Sequence, residues 1–498
     1  MPYEGGDDSV DGIIRVAAAM DSIAADEVAT AAREDDAVTV LRTGPTGIDR
    51  YEPLVMATID GETAFHASVD TSEAHEIASM AARGELRDET AVAVATHGAD
   101  RRGLPQPDRG PLSVGLRRVL TRCGWIPPLD GDRREIVAER GAASEVPGLE
   151  GRGRGDAALD VSDTWARVRD TEGDPVVVVN ANDAYREQRA DRLLLESDPI
   201  SVIDGAAIAC QATGASEAVF YLNEGDEWLH GHLEQAIEAV SGRLSVSLQI
   251  VGGPDRYLAG EPTPALESLE GADRLEPRLQ PPTPAEYGLF GRPTAVHTPR
   301  TLAQVRAMAA NDGMGVADGG TRLFSVFGDV VSKAVVEIGS ETELAALTDA
   351  VELRGEFKFA VVGGMFGGIT ERLDVATTSE AMVDAGLGLD GVVELCSDER
   401  CVLATVGDRA RFASEKNAGR CVPGREGTAQ LTTMLREVYD GEFEPEMVRE
   451  LGRVMRRSAN CEIGRDAARP ALTGIEQFEH EFRAHADGRC VAGSCGRE

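Results

Sequence analysis

The chain has 498 residues, 42% of them apolar and 4% aromatic, and a formal net charge of −36 at pH 7. That length is too great for one ordinary core and predicts about three or four domains. The charge repels phosphate backbones and anionic lipid, which excludes nucleic acid as a partner.

Of the 50 basic residues, three are lysines: Lys333, Lys358 and Lys416. Acidic clusters such as GGDDSVDG and REDD are spread along the whole chain, a pattern that predicts adaptation to a salt-rich cytoplasm, where screening relieves self-repulsion. No stretch approaches about 18 uninterrupted apolar residues, and the N-terminal MPYEGGDDSVDG is acidic. The expectation is a cytoplasmic protein without direct membrane insertion or a secretory signal. In a reducing cytoplasm the eight cysteines are thiols or metal ligands. Six of them lie beyond residue 395: Cys396, Cys401, Cys421, Cys461, Cys490 and Cys495.

Residues 10–96 read as a small α/β unit, with helical DEVATAAR, strand AVTVLR, a turn-rich TGPTGIDRYEPLV and helical EAHEIASMAARGEL. The Gly/Pro-rich HGADRRGLPQPDRGP at 97–111 reads as a linker. Over 112–312, PVVVV is a strand buried on both faces. Helix PISVIDGAAIACQATG, strand EAVFYLN, helix EWLHGHLEQAIEAV and strand SVSLQIVGG follow, an alternation that predicts a doubly wound α/β domain. A Pro-rich excursion, LEPRLQPPTPAEYGLFGRPT, must wrap the surface. Residues 313–400 carry the β-branched runs RLFSVFG, KAVVEIG and FKFAVV and predict a small β-rich domain. From about 411 to 486 the apolar period is helical. Leu431, Met434, Leu435 and Val438 share a face, as do Met447, Leu451, Val454 and Met455, and Leu472, Ile475, Phe478 and Phe482. A Cys-containing tail, 487–498, ends the chain.

Chemistry concentrates in a few motifs. In GLEGRGRGDAAL, Gly151, Gly153 and Gly155 let backbone N–H groups approach an anion, and Arg152 adds charge. On its own such a loop is also an ordinary surface turn. It lies about twenty residues ahead of the buried strand, whose polar end, NANDAYREQRADR, stands where open α/β sheets bind ligands.

In chain order RRVLTRCGWIPP, GLEGRGRG, VNANDAYREQRADR, RYLAGEPTPALESLEG, PRLQPPTPAEYGLFGRPT, FKFAVVGGMFGG, RCVPGREGT, SANCEIG and EFRAHADGRCVAGSC succeed one another. This series resembles the family of NADH-oxidising flavoprotein (F) subunits of respiratory complex I, including its relatives in NAD-linked hydrogenases and formate dehydrogenases. The resemblance spans nearly the whole chain. It implies a multidomain α/β fold: a thioredoxin-like remnant, a Rossmann-like flavin domain, a small β-grasp-like domain and a C-terminal helical bundle of the 4Fe–4S-binding type. It also implies hydride transfer from NADH to FMN, onward electron transfer to iron–sulfur clusters, and other redox-complex subunits as partners.

Carried over residue by residue, the resemblance implies cofactor binding by Gly151, Arg152, Gly153, Gly155, Asn180, Asp183, Tyr257, Gly260 and Glu261. Several positions depart from the family pattern. Pro45 and Asp49 stand at cysteine positions, which leaves no Cys-ligated 2Fe–2S cluster. Arg154 and Asp156 replace small residues of the glycine loop, and Asp156 would oppose a bound anion. Asn182, Tyr185, Pro262, His297 and Thr298 replace further family residues. At the cluster loop Cys421 and Cys461 are kept, while Ala418 and Gly424 stand at the other two ligand positions.

The resulting expectation is a weakly held FMN, with NAD(H) and a 4Fe–4S cluster doubtful. The alternative is a non-catalytic scaffold or regulatory subunit of a redox complex. Cys421 and Cys461 form an incomplete set, to which Cys490 and Cys495 are speculative additions. A plainer reading takes Cys421 and Cys461 as small buried apolar residues. Cys396 and Cys401 are expected in the core, and the pairs His230/His232 and His480/His485 as surface or packing residues.

Overall fold

The structure, a computed structural model, describes residues 12–98, 101–131, 135–140, 146–182, 184–310 and 320–495. Its first unit is a five-stranded sheet of β1 (Gly12–Ala17), β2 (Val38–Thr43), β3 (Leu54–Ile59), β4 (Glu62–His66) and β5 (Ala93–Thr96), in the order β2-β1-β3-β4-β5. β1 and β2 are parallel and the other pairs antiparallel. Helices Ile23–Ala32 and Thr71–Ala81 bury Val28 and Ile77 against Ile14, Val16 and Val55. Ser22 caps the first helix, and a reciprocal Asp70/Glu73 capping box opens the second. Sequence reading located β2 and both helices but not the other four strands.

The second unit holds β6 (Val176–Ala181), β7 (Glu217–Asn223), β8 (Ser247–Gly253) and β9 (Thr294–His297), all parallel, in the order β8-β7-β6-β9. Central β6 is the apolar run read from sequence, and Val176 to Val179 are fully buried. Helices Pro199–Thr213 and Glu227–Val240 make the crossovers. Gly205 lets the first of them meet helix Pro299–Ala309 closely, since a Cβ there would fall 2.1 Å from the Leu302 carbonyl oxygen.

The third unit comprises β10 (Thr321–Gly328), β11 (Ala334–Gly339), β12 (Phe357–Val362), β13 (Gly368–Thr370) and β14 (Val392–Ser397), in the order β11-β10-β14-β12-β13. Only β10 and β14 run parallel among these pairs. Helices Val402–Lys416, Thr428–Glu437, Pro445–Ser458, Glu462–Asp466 and Arg469–Ala486 close the chain as a bundle. It begins at Val402, earlier than the apolar period suggested, because Cys401 caps its first helix.

The supposed linker is no free tether. Leu104 in it is buried in the core shared by the first and third sheets. Glu337 of β11 accepts hydrogen bonds from the Val119 and Leu120 N–H groups, and Ser197 donates to the Pro45 carbonyl at 2.8 Å. The units are therefore packed together through buried polar contacts. Among the described residues, no helix is long and apolar enough to cross a membrane.

Candidate functional site

The glycine loop lies against β9 and the two helix starts that follow the parallel strands. Its glycines are required by space. A Cβ on Gly151 would fall 2.2 Å from the Asp156 carbonyl oxygen, and one on Gly153 2.2 Å from Thr298 Oγ1. Gly155 has a positive φ of 89° and packs on Pro262. Arg152 is buried, its backbone N–H donating to Thr301 and its Nε to the Thr321 carbonyl. Burial, with neighbouring Arg322, brings the Arg152 pKa down to about 9.

The two residues that break the glycine pattern turn inward. Asp156 accepts the Gly153 N–H at 2.8 Å, so its carboxylate fills part of the anion cradle itself. Its other oxygen lies 3.1 Å from His297 Nδ1. Trp165 Nε1, which can only donate, lies 3.0 Å from His297 Nε2, so the His297 proton belongs on Nδ1, facing Asp156. Burial raises the Asp156 pKa, but the bonds from His297, Gly153 and Thr301 outweigh it and the net shift is downward. The Asp156 carboxylate, still charged, is thus hydrogen-bonded from within and occupies the place an anion would take.

Arg154 lies over the Tyr257 ring, 3.8 Å from its centroid, and donates to the Tyr257 carbonyl at 2.6 Å. It also bonds Glu462 of the bundle at 2.9 Å and approaches Glu261 at 3.4 Å. Burial opposes its charge, but Glu462, Tyr257 and Glu261 keep it protonated. Glu261 is the weaker partner, and burial together with Glu462 pushes its carboxyl up to about 8. Gly260 is needed here, since a Cβ would lie 2.8 Å from the Asn182 carbonyl oxygen and 3.0 Å from the Arg154 guanidinium.

Asn180 donates to the Gly260 carbonyl at 2.9 Å, while its buried Oδ1 has no partner among the described residues. A buried acceptor of this kind suits a ligand N–H. Asp183 lies outside the described residues. Beside Tyr257 a cavity of about 590 Å³ opens, lined among others by Ala184, Arg256, Arg274, Phe412 and Lys416. The structure thus groups Gly151, Arg152, Gly153, Gly155, Asn180, Tyr257, Gly260 and Glu261 in one region around Arg154, and of these Tyr257 lines the cavity. The scaffold suits a flavin nucleotide. The space beside the loop is taken in this conformation by Arg154 and Asp156.

Cys421 and Cys461 also meet, with Sγ atoms 3.1 Å apart. The Gly424 N–H donates to Cys421 and the Gly464 N–H to Cys461, each at 3.3 Å. Burial raises both thiols. Hydrogen bonds, that from Cys461 first, turn the Cys421 shift downward, whereas Cys461 is pushed up to about 12. Of the two thiols, Cys421 is the one that ionises first. A Cβ on Gly424 would lie within 3.1 Å of both sulfurs, so this position leaves them accessible but supplies no thiolate. At 3.1 Å the two sulfurs stand closer than the separate corners of a four-iron cube would hold them, so a cluster there would require the pair to spread.

Cys490 and Cys495 do not join them. They meet Cys401 and His485 instead, and the four ligand atoms lie within 4.8 Å of one another. Sequence reading placed Cys401 in the core and His485 among packing residues, and both are indeed buried. It missed their meeting, because Cys401 and His485 are 84 residues apart and no local spacing records it.

A parallel nucleotide-type sheet, a glycine cradle and a helical bundle with paired thiols define a class: flavin- and iron–sulfur-linked dehydrogenase subunits. Comparison with known proteins gives the family. Residues 148–307 match the Nuo51 FMN-binding domain, and residues 404–485 the NADH-ubiquinone oxidoreductase-F iron-sulfur binding region. The chain is 31% identical over 369 residues to the F subunit of NADH-quinone oxidoreductase in Streptomyces coelicolor, covering 68% of this chain and 81% of that one. It is 29% identical to the NAD-reducing hydrogenase HoxS subunit alpha of Cupriavidus necator, over 74% of this chain and 62% of that protein. A crystal structure of NAD+-reducing [NiFe]-hydrogenase shares the fold, with a TM-score of 0.66 at 23% identity over 98% of this chain and 90% of that one. The chain belongs to the family of NADH-oxidising flavoprotein F subunits. This overturns the expectation that NAD(H) and a 4Fe–4S cluster are doubtful: the FMN-binding and iron–sulfur regions are both present, and a further Cys/His group stands beside them.

Proposed function

We propose that the chain is the flavoprotein-type subunit of a multisubunit, NAD-linked redox complex, with a flavin or dinucleotide held between the glycine loop and the bundle. The cavity beside Tyr257 carries this reading. Its volume of about 590 Å³ is that of a small-molecule site, and its charged lining, Arg256, Arg274 and Lys416 against Asp255 and Glu415, leaves an excess of cation for a phosphate in an otherwise acidic protein. Gly151, Arg152, Gly153, Gly155, Asn180, Gly260 and Glu261 pack close to the Tyr257 side of this cavity, and the buried Asn180 Oδ1, without a partner among the described residues, suits a ligand N–H. When bound, a flavin supplies hydride acceptance and single-electron release. This chain's residues orient it and exclude water. Cys421 and Cys461, once spread from their 3.1 Å contact, would supply two thiolates to the family's cluster, with the remaining ligands coming from other groups or a partner subunit.

The domains follow the family pattern. Residues 12–96 are a thioredoxin-like remnant, 112–310 hold the flavin domain, 320–400 a β-grasp-like domain and 402–486 the cluster-type bundle. A second reading, a structural subunit whose crevice is closed by its own side chains, is favoured by the Arg154 guanidinium, each of whose three nitrogens already bonds Glu462, Tyr257 or Glu261. The test is anaerobic purification in molar salt, followed by flavin, iron and sulfide analysis and the visible spectrum before and after NADH. Flavin and iron that respond to NADH support the first reading. A colourless protein that still assembles with partner subunits supports the second.

A further inference from the structure

We propose that Cys401, His485, Cys490 and Cys495 form a tetrahedral zinc site that fastens the C-terminal segment to the helical bundle. The four residues come from three places. Cys401 caps helix Val402–Lys416, His485 lies in the last turn of helix Arg469–Ala486, and Cys490 and Cys495 lie in the segment that follows. Gly493, with a φ of +70°, lets that segment fold back on itself.

The distances are those one ion requires. Metal–sulfur bonds of about 2.3 Å and a metal–nitrogen bond of about 2.0–2.1 Å set tetrahedral N···S edges at about 3.6 Å. His485 Nε2 lies 3.4 Å from Cys401 Sγ and 3.6 Å from Cys495 Sγ. A four-iron cube holds its thiolates at separate corners, whereas here all four ligand atoms fall within 4.8 Å of one another.

The surroundings orient the ligands. His485 Nδ1 bonds the Glu481 carbonyl oxygen at 2.7 Å, so its proton sits there and the Nε2 lone pair faces the sulfurs. The Ala404 N–H donates to Cys401 at 3.4 Å, and the Tyr439 hydroxyl lies 3.8 Å from Cys495 Sγ. Three thiolates and a neutral imidazole leave the ion no open position, the arrangement of a structural site. On binding, the three thiols release their protons to solvent, and no electron is exchanged. Helix Val402–Lys416, about 22 Å long at 1.5 Å per residue, separates this site from the loop carrying Cys421. The ion thus fixes one end of the helix whose other end leads to the thiol pair.

The test uses the full chain, stripped by chelator and titrated with Zn²⁺ or Co²⁺. The expected result is one ion per chain and, with cobalt, the intense visible spectrum of a tetrahedral thiolate site. The ion should also protect the bond after Arg489, an exposed residue of the tail, from trypsin. Cys490→Ser and Cys495→Ser should each lose the cobalt spectrum and the protection. The double variant Cys421→Ala/Cys461→Ala should retain both. A wild-type chain giving no tetrahedral cobalt spectrum would overturn the proposal. So would Cys490→Ser and Cys495→Ser variants that bind as well as the wild type, or loss of the ion in the Cys421/Cys461 double variant.

Discussion

Glu52, half-buried, and Asp156, buried, are carboxylates that their surroundings push in opposite directions. Asp156 is held below its usual value because hydrogen bonds from His297 and Gly153 outweigh burial. Its contribution to stability is present above the unfolded pKa and is lost as pH falls through the lower folded value. Asp156→Ala leaves the Gly153 N–H and the His297 Nδ1–H without an acceptor. The expected cost is about 1–3 kcal/mol in urea unfolding at pH 7, narrowing towards pH 3. For Glu52, burial dominates over the hydrogen bond from Ala19 and raises the carboxyl from 4.5 to about 7. Stability associated with it is present below pH 4.5 and declines as pH rises to about 7. Glu52→Gln should therefore stabilise the protein at pH 8 by roughly 1–3 kcal/mol and leave it unchanged at pH 4. Equal denaturation midpoints for wild type and variant at pH 8 would contradict this.

At the scale of elements, local signals were read well where one rule dominates. Strand β7 and helix Glu227–Val240 match the sequence reading residue for residue. The helix owes its start to Asp226, whose side chain accepts the Leu229 N–H at 3.2 Å and also pairs with Arg192. Asp226→Ala should cost about 1 kcal/mol, read as a lower thermal midpoint with native secondary structure retained. Where tertiary packing decides, the sequence was less legible. Strands β1, β3 and β4 are mostly buried on both faces and show no alternation to read. In helix Pro445–Ser458 the apolar residues suggested a face through Met447 and Val454. The buried stripe is Val448, Gly452 and Met455, and Met447 and Val454 are both 51% exposed. The tight approach of Leu472 and Ala468 to Gly452 moves that stripe, and glycine carries no apolar signal. The crevice residues were legible as a family pattern. The inward turn of Arg154 and Asp156, and the Cys401–His485 contact, were not, because each depends on residues more than 80 positions away.

For the whole molecule, charge is the dominant fact. With 86 acidic against 50 basic residues, long-range repulsion opposes compaction at low ionic strength. Many basic groups sit in short pairs, such as Arg278 with Glu267 and Glu270, and these leave the acidic excess uncompensated. Raising KCl from tens of millimolar to molar should therefore raise the thermal midpoint, and dialysis to low salt should unfold or aggregate the chain. A midpoint independent of KCl would remove the salt-adapted reading.

The central claim is that the crevice between the glycine loop and Tyr257 is a flavin nucleotide site whose space is shared with Arg154 and Asp156. Calorimetric titration of FMN into the wild type and into Arg154→Gly/Asp156→Gly, both in molar KCl, tests it most directly. Removing an opposing carboxylate and an occupying guanidinium is worth about 1.5–3 kcal/mol, or roughly ten- to over a hundredfold in affinity. The account predicts weak binding to the wild type and correspondingly tighter binding to the double variant. No heat of binding in either protein would contradict it.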